Sequence, residues 1–246
     1  MKLSVIVSVL NSHEIVRRQI LHWSKMNLPD DVEVIYLDDG SDPPLVRPDW
    51  APKNFRIHAT NDFRPWTVEV ARNLGARMAR GENLLMTDVD YIIGRDSIEA
   101  GRNLTHDKRC FKRQFGVLDE DGNVTQDMAV LKQYGLEEGR ARTRGVNMPP
   151  HPNNFIMKRE TFFRLGGYRE DLVDRPYPNK GDTYFKRVWA EAFAKGEVTM
   201  APEDRTVLFM FPNGQFCGDV DYNPFGLFHD LTRKTETNHW YMKDRV

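Results

Sequence analysis

Asn83-Leu84-Leu85-Met86-Thr87-Asp88-Val89-Asp90 is an apolar run of strand length that ends on two carboxylates. Alternate residues of a strand share a face, so Asp88 and Asp90 at its end can converge on one hard cation and, through it, on a diphosphate. A second copy, Asp219-Val220-Asp221, follows Cys217-Gly218 and precedes Asn223-Pro224, and therefore reads as part of a turn. With 36 acidic residues in 246, such triplets also arise by chance. Context favours the first copy, because a buried strand delivers it.

Outward from this stretch, strand-like runs alternate with helical patterns through the first ninety or so residues. Leu3 to Val9 reads as a buried strand, followed by Val16, Ile20 and Trp23 at helical spacing, with Ser12 as N-cap and Pro29 beyond the end. Val32 to Leu37 and Phe55 to Ala59 are the next strands. Val68, Ala71, Leu74 and Met78 line one face of a second helix that Gly81 can terminate. The order strand, helix, strand, strand, helix, strand implies an α/β fold with a mostly parallel sheet flanked by helices. Ligands of such sheets gather at the carboxyl ends of the strands, where Ser8, Asp38-Asp39 and Asp88-Asp90 all fall.

Past residue 95 the pattern changes. Phe111 to Leu118 and Val124 to Met128, separated by Asp119-Glu120-Asp121-Gly122-Asn123, read as a hairpin. Gly135 to Asn153 is rich in Gly, Arg and Pro, with Arg140, Arg142 and Arg144; it fits a lid or binding loop as well as a solvated connection. Arg159 to Leu165 and Thr183 to Lys195 are helical, stopped by Gly166-Gly167 and Gly196. No internal repeat, low-complexity tract or separating linker interrupts the chain, so 1–246 is expected to form a single domain, with 1–95 and 96–246 as its halves.

Composition narrows the function. Hydrophobic residues make up 40% and charged residues 29%, ordinary for a globular protein with a sizeable core. A net charge of −1 gives no electrostatic case for binding nucleic acid or an anionic membrane. Cys110 and Cys217 lie far apart without metal-ligand spacing, which favours two free thiols and a reducing compartment, hence a cytoplasmic location. The apolar start lacks a cleavage pattern, and no run reaches the length of a transmembrane segment.

Several of these motifs together resemble a known family. Ser4-Val5-Ile6-Val7-Ser8, Leu37-Asp38-Asp39-Gly40-Ser41-Asp42, Ala71-Arg72-Asn73-Leu74-Gly75 and Thr87-Asp88-Val89-Asp90 are similar to the nucleotide-sugar half of family-2-type glycosyltransferases with the GT-A, Rossmann-like fold. Asn154 to Phe162, Leu165-Gly166-Gly167-Tyr168 and Gly181-Asp182-Thr183 resemble the acceptor-side segment, which ends at that family's Glu-Asp pair. The resemblance implies a metal-dependent transfer of sugar from a nucleotide-diphosphate donor, favouring a UDP-sugar, to a carbohydrate or other hydroxyl acceptor with inversion.

It also implies roles. Asp39 would accept a hydrogen bond from a uracil-like imide, and Asp38 would serve the ribose or hold the turn. Ser8 would lie against the donor, and Arg72 would face the base or phosphates unless it is a surface ion pair. Asp90 would bind Mn²⁺ or Mg²⁺ directly, with Asp88 assisting through ribose or water, and His229 would be a third ligand or a packed residue. Asp182 would be the general base, though it also suits a helix N-cap. Gly181 departs from the family's acid at that position and leaves the acceptor-contacting carboxylate without an owner. Trp66 and Tyr91 would stack on a ring or belong to the core. Two alternatives stay open: a catalytically silent nucleotide-sugar-binding module, for which Gly181 argues, and a sugar nucleotidyltransferase, against which stands the lack of a Gly-rich, basic loop after the first strand.

Overall fold

Leu3, Val5, Val7 and Val9 point to one side of the first strand and Ile6 to the other, and each side meets its own hydrophobic cluster. That two-sided burial explains why Ile6 is apolar and only the small Ser4 and Ser8 are polar on the second face, where a strand with one wet side would carry exposed polar residues. The computed structural model describes residues 1–62, 64, 67–133, 147–148, 150–173, 181–201 and 207–210. The elements are β1 (Leu3–Val9), α1 (His13–Met26), β2 (Val32–Asp38), β3 (Phe55–Ala59), α2 (Val68–Met78), β4 (Asn83–Asp88), β5 (Tyr91–Ile93) and α3 (Arg95–Arg102). They continue with β6 (Lys108–Cys110), β7 (Lys112–Phe115), β8 (Val117–Leu118), β9 (Val124–Thr125), α4 (Met128–Gln133), β10 (Asn147–Met148), β11 (Phe155–Lys158), α5 (Arg159–Arg164), α6 (Gly181–Ala194) and β12 (Val207–Met210).

The main sheet runs in the order β3-β2-β1-β4-β11-β6. The first four strands are mutually parallel, and β11 runs antiparallel to both neighbours. Helices α1 and α3 cover one face with Ile15, Ile20, Trp23 and Ile98, while α2 and α5 cover the other with Ala71, Ala76 and Phe162. This is the expected α/β, mostly parallel sheet flanked by helices. The chain leaves β1 toward β2 on one side and reaches β4 on the other, so a crevice opens at the carboxyl ends of β1 and β4. A second sheet, β10-β7-β12-β5, begins immediately beyond it. Among the described residues no helix is long and apolar enough to cross a membrane.

Several local expectations differ from the structure. Ser12 donates its hydroxyl to Leu10 O at 2.7 Å instead of capping α1. Helix α2 stops at Met78, ahead of Gly81. Gly81 instead lets the chain pass β1, since a Cβ there would lie 2.5 Å from Ser4 N. The hairpin is confined to β8 and β9. The Asp127 carboxylate accepts the Ala129 N–H at 2.8 Å and starts α4 at Met128.

Candidate functional site

The loops after β1 and β2 are tied together. Ser41 Oγ accepts the Asn11 N–H at 2.9 Å, and Asn11 Oδ1 accepts the Asp42 N–H at 2.8 Å. Gly40 carries a φ of 94°, which a side chain would resist. Both carboxylate oxygens of Asp38 hold this turn, Oδ1 accepting from Ser41 N at 2.9 Å and Oδ2 from Leu45 N at 2.7 Å. Asp39 Oδ1 accepts the hydroxyls of Thr67 at 2.6 Å and Thr60 at 3.1 Å. Asp38 thus shapes the loop, and Asp39 is oriented from α2's leading residue. Ser8 stands in register between Leu37 and Asp88.

Asp88 ends β4 while Asp90 lies in the turn that leads to β5, so the turn, not a continuous strand face, brings the two carboxylates together. Gln19 of α1 fixes that turn by donating to the carbonyls of Val89 at 2.7 Å and Tyr91 at 3.0 Å. Its own Oε1 accepts the Tyr36 hydroxyl at 2.6 Å. Burial, and then the charge of Asp88, push the Asp90 carboxyl well above the ordinary carboxylate range. Arg72 is 1% exposed and is paired with Asp88. This is a buried pair, not a surface one. Burial works against the Arg72 charge, but Asp88, with Tyr168, Glu69 and Asp182, outweighs it and holds the guanidinium above its ordinary range. The guanidinium also lies over the Tyr168 ring, 5.6 Å from its centroid. Tyr91 is core rather than a stacking platform, with its hydroxyl accepting from Arg113 at 2.7 Å.

The opposite wall is the start of α6. Asp182 is partly exposed in the first turn, where its Oδ1 accepts from its neighbour Thr183 through N–H and hydroxyl. Its charge reaches Glu69, Arg72 and His151. Asn73 ties α2 to this wall, donating to Tyr168 O at 2.8 Å and accepting the Tyr168 N–H at 3.0 Å. Burial pushes Glu69 up to about 7, Asp182 adding to the rise while Arg72 opposes it.

The donor set for a cation consists of hard carboxylate oxygens from Asp88 and Asp90. Their mutual repulsion and the burial of Asp90 favour a positive charge between them, so the pair fits Mg²⁺ or Mn²⁺ completed by phosphate oxygens. Among the described residues no three His, Cys, Asp or Glu side chains gather as a metal site on their own. His229, Trp66, Cys217, the three arginines at 140, 142 and 144, and the second triplet at 219–221 lie outside the described residues. Cys110 is a free thiol.

Sequence reading missed Glu69, Gln19, Arg113 and His151. Glu69 resembles a first-turn acid serving the helix dipole, Gln19 lies on an otherwise apolar helix stripe, and nothing local marks either. His151, flanked by Pro150 and Pro152, had only turn signals around it.

A family model, glycosyl transferase family 2, matches residues 4–167. That is more than half of the chain, so the chain belongs to this family. A search of curated proteins found no match. Among solved structures, S. aureus TarS is 14% identical with a TM-score of 0.54, covering 98% of this chain and 43% of that one. S. aureus TarS 1-349 in complex with UDP-GlcNAc is 15% identical with a TM-score of 0.56, covering 97% and 65%. The mannosyltransferase PcManGT from Pyrobaculum calidifontis, in complex with GDP-Man and Mn²⁺, is 18% identical with a TM-score of 0.51, covering 100% and 64%. These likenesses show the GT-A fold. The chain spans less than two thirds of each of these proteins.

Proposed function

We propose that this glycosyltransferase moves a hexosyl group from a nucleotide-diphosphate donor, a UDP-sugar by preference, to an acceptor hydroxyl with inversion and with the help of a divalent cation. One observation carries the reading: Asp39 follows β2 and Asp88 and Asp90 follow β4, the two parallel strands that flank β1, so all three acids lie at the same carboxyl edge, with the charge of Asp182 reaching the Arg72 paired to Asp88. The likeness to structures holding UDP-GlcNAc and GDP-Man with Mn²⁺ supports it.

Asp39, held by Thr60 and Thr67, accepts the imide N–H of a uracil, while Asp38 shapes the loop and Ser8 lines the floor. Arg72 sets a fixed positive charge beside the diphosphate. Asp88 and Asp90 would hold Mn²⁺ or Mg²⁺, with His229 as a third candidate. Such a cation, when bound, neutralises charge on the departing diphosphate. Asp182 takes the proton of the acceptor hydroxyl as its oxygen attacks the anomeric carbon opposite the leaving nucleotide, which inverts that centre.

Incubation with a panel of nucleotide sugars, methyl hexoside acceptors and Mn²⁺, with free nucleotide as the readout, tests the reading. UDP release that needs an acceptor is expected. Nucleotide binding without release would instead indicate the silent module. No binding of any nucleotide would end the proposal.

A further inference from the structure

We infer that Glu69, projecting from α2, supplies the carboxylate that stands beside Asp182 on the acceptor side of the cleft and accepts a hydrogen bond from a second hydroxyl of a polyol acceptor. The inference rests on the glycosyltransferase reading and deepens it by assigning the acceptor's chemistry. Residue 181 has no side chain, and the structure shows what fills the space one would take. A Cβ built on Gly181 falls 2.2 Å from Glu69 Cγ, 2.4 Å from its Oε1 and 2.6 Å from its Cδ. A side chain at 181 would therefore push the Glu69 carboxylate out of the place it now holds.

The Gly181 N–H donates to Glu69 Oε1 at 3.2 Å, which anchors the carboxylate to the first residue of α6. Oε2 is buried and has no hydrogen-bond partner among the described residues, and the whole residue is only 3% exposed. Packing alone does not account for this arrangement. Arg72 and Asn73, one turn on along the same buried side of α2, have partners in Asp88 and Tyr168, whereas Glu69 Oε2 has none, and a buried acceptor without a donor is a cost that native structures rarely keep without use. Asp182 is the next residue after the anchor, and its charge acts on Glu69. With Asp182 taking the proton of the attacking hydroxyl, Glu69 Oε2 can receive the O–H of an adjacent hydroxyl and orient the acceptor. This selects a vicinal diol, as sugars present, over an isolated alcohol.

Glu69→Gln tests the assignment. The amide must turn its oxygen toward the Gly181 N–H, which places an NH₂ donor where Oε2 had been an acceptor. With the donor sugar and methyl hexosides as probes, acceptor KM should rise roughly 10- to 100-fold. UDP affinity with Mn²⁺, read by calorimetry, should stay at the wild-type value. A second pair of variants moves the acid to the other helix. Gly181→Glu alone should lower Tm, because two side chains claim one space, and Gly181→Glu combined with Glu69→Ala should recover Tm and transfer more than Glu69→Ala does alone.

Normal acceptor KM and turnover in Glu69→Gln would overturn the inference while leaving the enzyme reading intact. So would a relocated acid that restores no transfer in a folded protein. A wild type that binds no UDP and releases no nucleotide would overturn both together.

Discussion

Buried carboxylates at the two ends of the main sheet are provided for differently. Glu33, at the amino end of β2, is fully buried and completely served: it accepts from Ser4 Oγ at 2.7 Å, Arg80 N at 2.7 Å and Arg56 at 2.6 Å. Burial pushes against its charge, yet the Arg80 N–H and the other partners pull the carboxyl below its ordinary value. Asp90 and Glu69, at the carboxyl end, are as deeply buried but sit beside like charges and are held far above their ordinary values. On the proposed function, a carboxylate kept for stability is given its partners by the fold, and one kept for binding is left short of them until a ligand arrives.

Four expectations test that contrast, from the largest effect down. Asp90→Asn should lower transfer on the order of 10³-fold, as loss of several kcal/mol of charge stabilisation implies. Its Tm without ligand should be unchanged or higher, because the substitution replaces a buried carboxyl that burial and Asp88 both hold against ionisation. A variant that lost Tm and kept transfer would reverse the assignment. Asp182→Asn should lower turnover by roughly 10²- to 10⁴-fold with UDP affinity nearly intact. NMR of the wild-type product should show inversion, and retention would recast Asp182 as a nucleophile.

The third expectation concerns pH. Burial pushes the folded Glu69 carboxyl up to about 7 from an ordinary value of 4.5, so the folded state holds the proton more tightly. Its contribution to stability is full below pH 4.5 and is lost as pH rises through 7, a change of about 3 kcal/mol over that window. Denaturation of wild type and Glu69→Gln across pH 4.5–7 checks this: the mutant should decline less, and parallel curves would count against it. Smallest is Glu33→Gln, expected to cost roughly 2 kcal/mol of stability through a weakened charged network. Calorimetry should find its UDP affinity unchanged, and a large loss would break the division between the two ends.

Much of this contrast was legible in the sequence on one side only. The apolar runs of β1, β2 and β4 and the acids at their ends could be read directly, because strand order and loop position follow from local pattern. For α2, the predicted face of Val68, Ala71, Leu74 and Met78 differs from the buried set, which includes Glu69, Arg72 and Asn73. Hydrophobic periodicity points polar residues outward. Here the cleft and α6 lie where solvent would otherwise be, so polar residues turn inward.

By itself the sequence determined the parallel α/β frame, the place of the crevice and the carboxylates Asp39, Asp88 and Asp90 around it, since each follows from short-range pattern and chain order. Tertiary structure alone decided which acids are satisfied and which are not. Ser4, Arg56 and Arg80 reach Glu33 from distant segments, Gln19 reaches across from α1 to fix the turn at Asp90, and α6 presents a bare Gly181 to Glu69 over 112 positions of chain. The reason is physical: a side chain's proton affinity and partners depend on what surrounds it in space, and sequence neighbours are only a small part of that surrounding.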